Sequence, residues 1–377
     1  MPLYDWTVTR RATWPALCAL FALAVCTTAA AAADRLERFR ALATGDLAVA
    51  QLDGGSEADR VVSELYALVD EEIVESLETG GPFSSVEFIQ ERLDGLASAW
   101  GGAVFRVLRP ASGPGRPSLT VAVLSLTGIP GSGSMRVYGR GPAGVLPLRT
   151  ATYDGLAEVH AWPAARDGAP QWLMSWTGAA SGRGVRPLRL ELWRQRGGDA
   201  ARAWSTAELF PDGLWASAVA VRRGEISVRY ELRYPGWKPG CDGQTEQEDT
   251  YQAAASDVPG LARRQVVNGW HRDLGTAVER FFAALGRRDA RRLSELVPDA
   301  RVRSRLPAGL RPEPACEAQS PDMPGIVVVA ATDEGGAGGE AARAAPVAAR
   351  PPSPWSLWWT RAAGGAWRLS AAEPVLQ

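Results

Sequence analysis

The chain has little of the residues on which most catalytic chemistry depends. Its 377 residues hold two histidines, four cysteines and one lysine, Lys238. With only His160 and His271 present, a Ser/His/Asp relay or a histidine-rich metal centre has almost nothing to draw on. Gly-x-Ser-x-Gly, His-Glu-x-x-His, P-loop and dinucleotide-binding motifs are all missing. No catalytic residue, metal or cofactor is therefore assigned. Carboxylate pairs remain open as acid–base groups, but no spacing singles one out. Charge of one sign is missing too. Basic residues number 41 and acidic ones 42, so bulk charge gives no argument for nucleic acid as a partner. Arginine is plentiful, yet no cluster of it stands out as a set of forked anion contacts. After residue 33 there is no apolar run long enough to span a membrane.

The first 33 residues read as a signal peptide. Arg10 and Arg11 precede an apolar run from Trp14 to Val25, and Ala29 to Ala33 supply small residues before Asp34. Cleavage is expected near Ala33–Asp34, so the mature chain is expected to be exported, periplasmic or secreted. Thr9-Arg10-Arg11 leaves twin-arginine export open. Leu23-Ala24-Val25-Cys26 leaves lipidation of Cys26 open. Only Cys241 and Cys316 remain beyond this segment, and an even pair in an oxidising compartment predicts one disulfide.

The chain is long enough for two or three folded units. Residues 34–102 read as helical. Val61, Leu65, Leu68, Val69, Ile73 and Leu77 fall at helical spacing, and Ser84-Ser85-Val86-Glu87 reads as a capping box. The acidic run Asp70-Glu71-Glu72 is expected on a solvated face. Residues 103–252 read as an antiparallel β domain built on a repeat. Ser118 to Val123 returns at Gln171 to Trp176 and again at Glu225 to Tyr230, spacings of 53 and 54. Ile226, Val228 and Tyr230 share one face of the last copy. Ser227 and Arg229 share the other, as in a sheet with one wet side. Four strands per unit resembles a β-propeller blade; a barrel, sandwich or open meander is left open.

Residues 253–271 read as a connector and 272–377 as a C-terminal α+β domain. Ala277 to Leu285, Arg288-Asp289 with Leu293 and Leu296, and a closing hairpin of Trp355 to Arg361 with Trp367-Arg368-Leu369 carry a resemblance to the NTF2-like (SnoaL-like) superfamily. That resemblance implies a cone-shaped sheet behind helices. The Asp/His pair of the family's enzymes has no assignable counterpart, since His271 precedes the helix expected from Arg272.

Trp355, Trp358, Trp359 and Trp367 are the candidate ligand-binding residues of such a cone. Trp193 shares a strand face with Arg189 and Glu191 and is expected to be exposed, free to stack on a sugar or a partner. The run from Tyr234 to Asp249 holds acidic oxygens suited to calcium, or forms a long turn pinned by Cys241. The expected protein is α+β: a helical N-terminal segment, an antiparallel repeat domain and an NTF2-like domain. Its expected role is non-enzymatic, binding a small ligand or an envelope partner. A hydrolase or isomerase in the cone, and a carbohydrate-binding module, are the alternatives.

Overall fold

The structure is a computed structural model describing residues 34–47, 56–126, 129, 131–142, 144–181, 184–238, 240–253, 257–318, 325–334 and 352–375. The expected signal peptide and a strand-like run at 345–349 lie outside these residues. Helices and antiparallel sheets make the chain α+β. Among the described residues no helix is long and apolar enough to cross a membrane. The chain divides into two compact units. One takes residues up to 179 with 188–213 and 253–258; the other takes 180–187, 214–252 and 259–377.

The first unit begins with α1 (34–47), α2 (Ser56–Thr79) and α3 (Val86–Ser98). Ser85, one residue later than the capping box suggested, is the N-cap of α3; its hydroxyl accepts from Phe88 N–H at 3.2 Å. Two meanders follow. The first is β1 (Ala103–Leu108), β2 (Thr120–Leu126), β3 (Gly133–Gly141) and β4 (Gly144–Tyr153). The second is β5 (Leu156–Ala161), β6 (Gln171–Thr177), β7 (Arg186–Arg196) and β8 (Asp199–Ser205), followed by the single turn α4 (Thr206–Leu209). Strand β2 is buried along its whole length because both of its faces are covered. Ala122, Leu124 and Leu126 pack with Leu65, Val69, Ile73, Ile89 and Leu93 of the helices. Val121 and Val123 pack on the other side with Trp172, Met174 and Trp176 of β6.

The acidic run of α2 departs from the expected solvated face. Glu72 is buried and pairs with Arg35 and Arg92, the latter at 2.7 Å, while Asp70 takes Arg136 and the Tyr138 hydroxyl. Only Glu71 is largely exposed. Carboxylates withdrawn from water need these partners, since an unpaired buried charge is costly.

The second unit opens with a third meander: β9 (Leu214–Arg222), β10 (Glu225–Glu231), β11 (Glu246–Ala253) and β12 (Pro259–Val267). Strand β10 alternates as expected, with Ile226, Val228 and Tyr230 buried. The three repeated runs thus form β2, β6 and β10, each the second strand of a four-strand meander. Residues 253–271 are more than a connector, for β12 lies inside them. It is an edge strand, exposed on both sides over most of its length, so burial imposes no alternation on its sequence.

The helices α5 (Gly269–Arg287), α6 (Ala290–Leu296) and α7 (Ala300–Arg305) follow. The last sheet runs β13 (Leu310–Pro312), β14 (Ile326–Asp333), β15 (Ser353–Arg361), β16 (Trp367–Pro374). Leu274 and Phe281 of α5 pack on Val327, Val329, Leu357, Trp359 and Leu369. Gly365, at φ 82°, makes the β15–β16 turn, and Ala362 N–H closes it on Ala366 at 2.8 Å.

Candidate functional site

Four side chains that are distant in sequence meet in the second unit. The Tyr234 hydroxyl lies 2.6 Å from His271 Nδ1, His271 Nε2 lies 3.1 Å from Glu317 Oε2, and Lys238 Nζ lies 2.9 Å from Glu317 Oε1. His271 is 1% exposed and Glu317 9%. Cys316, beside Glu317, is bonded to Cys241 in the loop that carries Lys238.

The backbone explains why these groups meet. His271 sits in the first turn of α5, not before the helix as expected. Gly275, one turn further along, faces Pro235 and Gly236 so closely that an added Cβ would stand 3.0 Å from the Pro235 carbonyl. Gly236 itself has φ 84°. A side chain at either glycine would push the loop away and carry Tyr234 off the imidazole. Thr245, fully buried, donates to the Asn268 carbonyl at 2.8 Å and accepts from Arg272 N–H at 2.9 Å, fixing the start of the helix. Gln244 bonds back to Lys238 N–H and to the carbonyls of Lys238 and Cys241. The run from Tyr234 is therefore a pinned turn.

Electrostatics define the state of the chain. Burial raises the pKa of Glu317, but hydrogen bonds from His271 and Lys238 outweigh it and bring the carboxyl down to about 2. The ionised Glu317 faces Nε2 as an acceptor, and the Tyr234 hydroxyl faces Nδ1. Burial pushes the Tyr234 hydroxyl above its usual value. A tyrosinate nucleophile is favoured by the opposite shift. The arrangement has the connectivity of a Tyr–His–Glu relay, with its tyrosine kept protonated by burial.

A second buried carboxylate, Asp249, receives the Tyr230 hydroxyl at 3.0 Å and the Arg264 fork at 2.9 Å twice. Beside it, on the opposite face of β10 and β11, is an open cavity of about 560 Å³ with Ser227, Glu248, Thr250 and Arg263 in its wall. Among the described residues no three His, Cys, Asp or Glu side chains are grouped to hold a metal ion.

The tryptophans singled out in the sequence do not share one place. Trp359 is fully buried and Trp367 is 3% exposed, both within the core under α5; Trp359 meets Phe281 edge-on at 5.7 Å. Trp355 is half-buried at the margin of that core, and Trp358 is half-buried and takes no part in it. The indole N–H groups of Trp355 and Trp359 have no hydrogen-bond partner among the described residues. Trp367 donates to the Trp270 carbonyl at 3.2 Å.

Trp193 belongs to the first unit and is buried, which corrects its expected exposure. Its N–H donates to Glu191 at 3.0 Å, and Glu191, fully buried, also receives Trp176 N–H and the guanidinium groups of Arg189 and Arg202. The face of β7 that looks wet in the sequence packs beside Trp172 and Trp176 with Val121, Val123, Met135 and Val137 of β2 and β3. Sequence reading missed Tyr234, Lys238 and Glu317, whose signals were faint: the only lysine, and an acid next to a paired cysteine. His160 is half-buried, with its Nε2 2.9 Å from the Ser175 hydroxyl.

No protein-family model, curated protein or solved structure matches this chain.

Proposed function

We propose that this is an exported, non-enzymatic protein that binds a small ligand or a partner in the cell envelope through an NTF2-like C-terminal domain. The observation that carries the reading is the unpartnered indole N–H of Trp355, half-buried at the margin of the core under α5. A buried N–H left unpaired costs about 1–3 kcal/mol. A ligand offering an acceptor oxygen to this donor would recover that penalty on binding. The Cys241–Cys316 bond supports an oxidising compartment, in keeping with the signal-like N-terminus.

The test is a thermal-shift screen of small oxygen-rich and aromatic ligands on the purified chain, followed by tryptophan fluorescence. A ligand that raises the melting temperature of the native protein, and fails to do so in Trp355→Phe, supports the reading. A compound turned over at the same site would replace it with an enzyme.

A second reading, a hydrolase or isomerase, has one observation in its favour: the Tyr234–His271–Glu317 connectivity. Against it stands the Tyr234 pKa, raised by burial. A carbohydrate-binding role resting on Trp193 finds no support, because that ring is covered and its N–H is bound to Glu191.

A further inference from the structure

Residues 287–305 of the second unit break the charge balance of the chain and supply the arginine cluster that did not stand out in the sequence. They hold seven arginines, Arg287, Arg288, Arg291, Arg292, Arg301, Arg303 and Arg305, against three acids, Asp289, Glu295 and Asp299. Seven minus three gives +4 in a stretch of 19 residues, within a chain of net charge −1.

The acids do little to neutralise this. Asp289 caps α6, its carboxylate accepting from Arg292 N–H at 3.1 Å, and Asp299 caps α7, accepting from Arg301 N–H at 2.7 Å. Glu295 stands 3.7 Å from Arg291, an exposed pair. Arg303 folds inward and donates to the carbonyls of Val297 and Pro298, holding α7 against the end of α6. Arg287, Arg288, Arg301 and Arg305 are exposed, and their guanidinium groups have no ionic or hydrogen-bond partner among the described residues. The apolar residues of α6 and α7 face inward: Leu293, Leu296, Val302 and Leu306 pack on the core under α5.

We propose that this arginine surface docks on a bilayer bearing anionic phospholipid headgroups. The inference rests on the envelope-associated reading above and names the partner of that reading. Guanidinium groups pair with phosphate oxygens in a planar fork. Charge complementarity favours a diffuse anionic surface over the other two anionic partners. A protein interface is anchored by buried apolar or aromatic groups, and no large apolar side chain of 287–305 is exposed. Binding of single-stranded nucleic acid interleaves aromatic rings with the basic groups, and residues 283–306 contain none. What remains is electrostatic attraction that grows with each arginine and is screened by salt.

The test is vesicle co-sedimentation of the purified full chain. Neutral phosphatidylcholine vesicles are compared with vesicles containing roughly one-third phosphatidylglycerol, in low salt and in about 0.5 M salt. Residues 14–25 are apolar and would bind either bilayer, so the readout is the difference between the two vesicle types. The expected result is preferential binding to anionic vesicles that is abolished by high salt. The quadruple variant Arg287→Gln, Arg288→Gln, Arg301→Gln, Arg305→Gln should weaken that binding by at least about tenfold. The matching four Arg→Lys changes should retain most of it, and unchanged melting curves would show both variants folded. Equal binding to both vesicle types, or undiminished binding by the glutamine variant, overturns the proposal. So does tight binding to an RNA homopolymer without binding to anionic vesicles. The assay needs no export step, so vesicle binding by a chain that an exporting host keeps inside the cell would sink the export reading alone.

Discussion

His271 Nε2 and Glu317 Oε2 are 3.1 Å apart across 46 residues of sequence, and the residue before Glu317 is covalently bonded to Cys241. The ionic contact of Lys238 Nζ with Glu317 Oε1, at 2.9 Å, and the cross-link therefore hold the same short segment against the same loop. Ala318, on the other side of Glu317, bridges to Val328 of β14. Glu317 is thus held at both neighbours, so its side chain meets His271 and Lys238 with little left to order. Such preorganisation lets a buried carboxylate remain ionised.

Acid should reveal this contact. The folded-state pKa of Glu317 is depressed from 4.5 to about 2, so its contribution to stability is complete above about pH 4.5 and is lost as the pH falls toward 2. The shift corresponds to something on the order of 3 kcal/mol. Glu317→Gln should lower the melting temperature at pH 7 and flatten its decline between pH 4.5 and 2. A variant whose acid decline matches the native chain would show that Glu317 does not set it.

The cross-link should act on the same segment. Closing a loop of 75 residues contributes about 4 kcal/mol in the chain-entropy account. Cys241→Ser with Cys316→Ser is expected to lose about that much, measured by urea denaturation. The acid dependence assigned to Glu317 should shrink in the same variant, because the carboxylate is then held on one side only. Full retention of that dependence would mean the ionic contact orders the segment unaided.

The legible parts of this chain are those where burial imposes a period. Strand β10 shows its two faces in its sequence, and the recurrence at 53 and 54 residues marks the second strand of each meander. Strand β12 has no such pattern because an exposed edge constrains neither face. Strand β7 misleads in a different way. Leu188, Leu190 and Leu192 alternate with Arg189, Glu191 and Trp193, which reads as one dry and one wet face. In the fold Glu191 is fully buried, and two indoles and two guanidiniums satisfy it. Alternation tells which side chains share a face but not what covers that face. Tyr234, His271 and Glu317 lie in three separate segments without local periodicity, and only the cysteine pair hinted that two of those segments meet.

The two neighbouring tryptophans of β15 separate core from surface. Trp359 is fully buried against Phe281, whereas Trp358 is half-buried and outside that core. Trp359→Ala should cost about 3–5 kcal/mol in urea denaturation. Trp358→Ala should cost about 1 kcal/mol or less. Equal losses would place both rings in the same environment and contradict the strand register.

Trp193 and Trp172 offer a test of the buried carboxylate in the first unit. They face each other across β6 and β7, and both are almost completely buried. Trp193 N–H donates to Glu191 at 3.0 Å, while Trp172 N–H points at the thioether of Met135 at 3.3 Å, a weak acceptor. Each Trp→Phe change removes similar ring volume, so the packing losses are comparable. Trp193→Phe also takes one donor from a carboxylate that water does not reach. A hydrogen bond to a charged group contributes about 1.5–3 kcal/mol, and Trp193→Phe should be more destabilising than Trp172→Phe by a margin of that order. The comparison by urea denaturation at pH 7 is direct. If the two variants unfold at the same midpoint, Trp176, Arg189 and Arg202 satisfy Glu191 without help from Trp193.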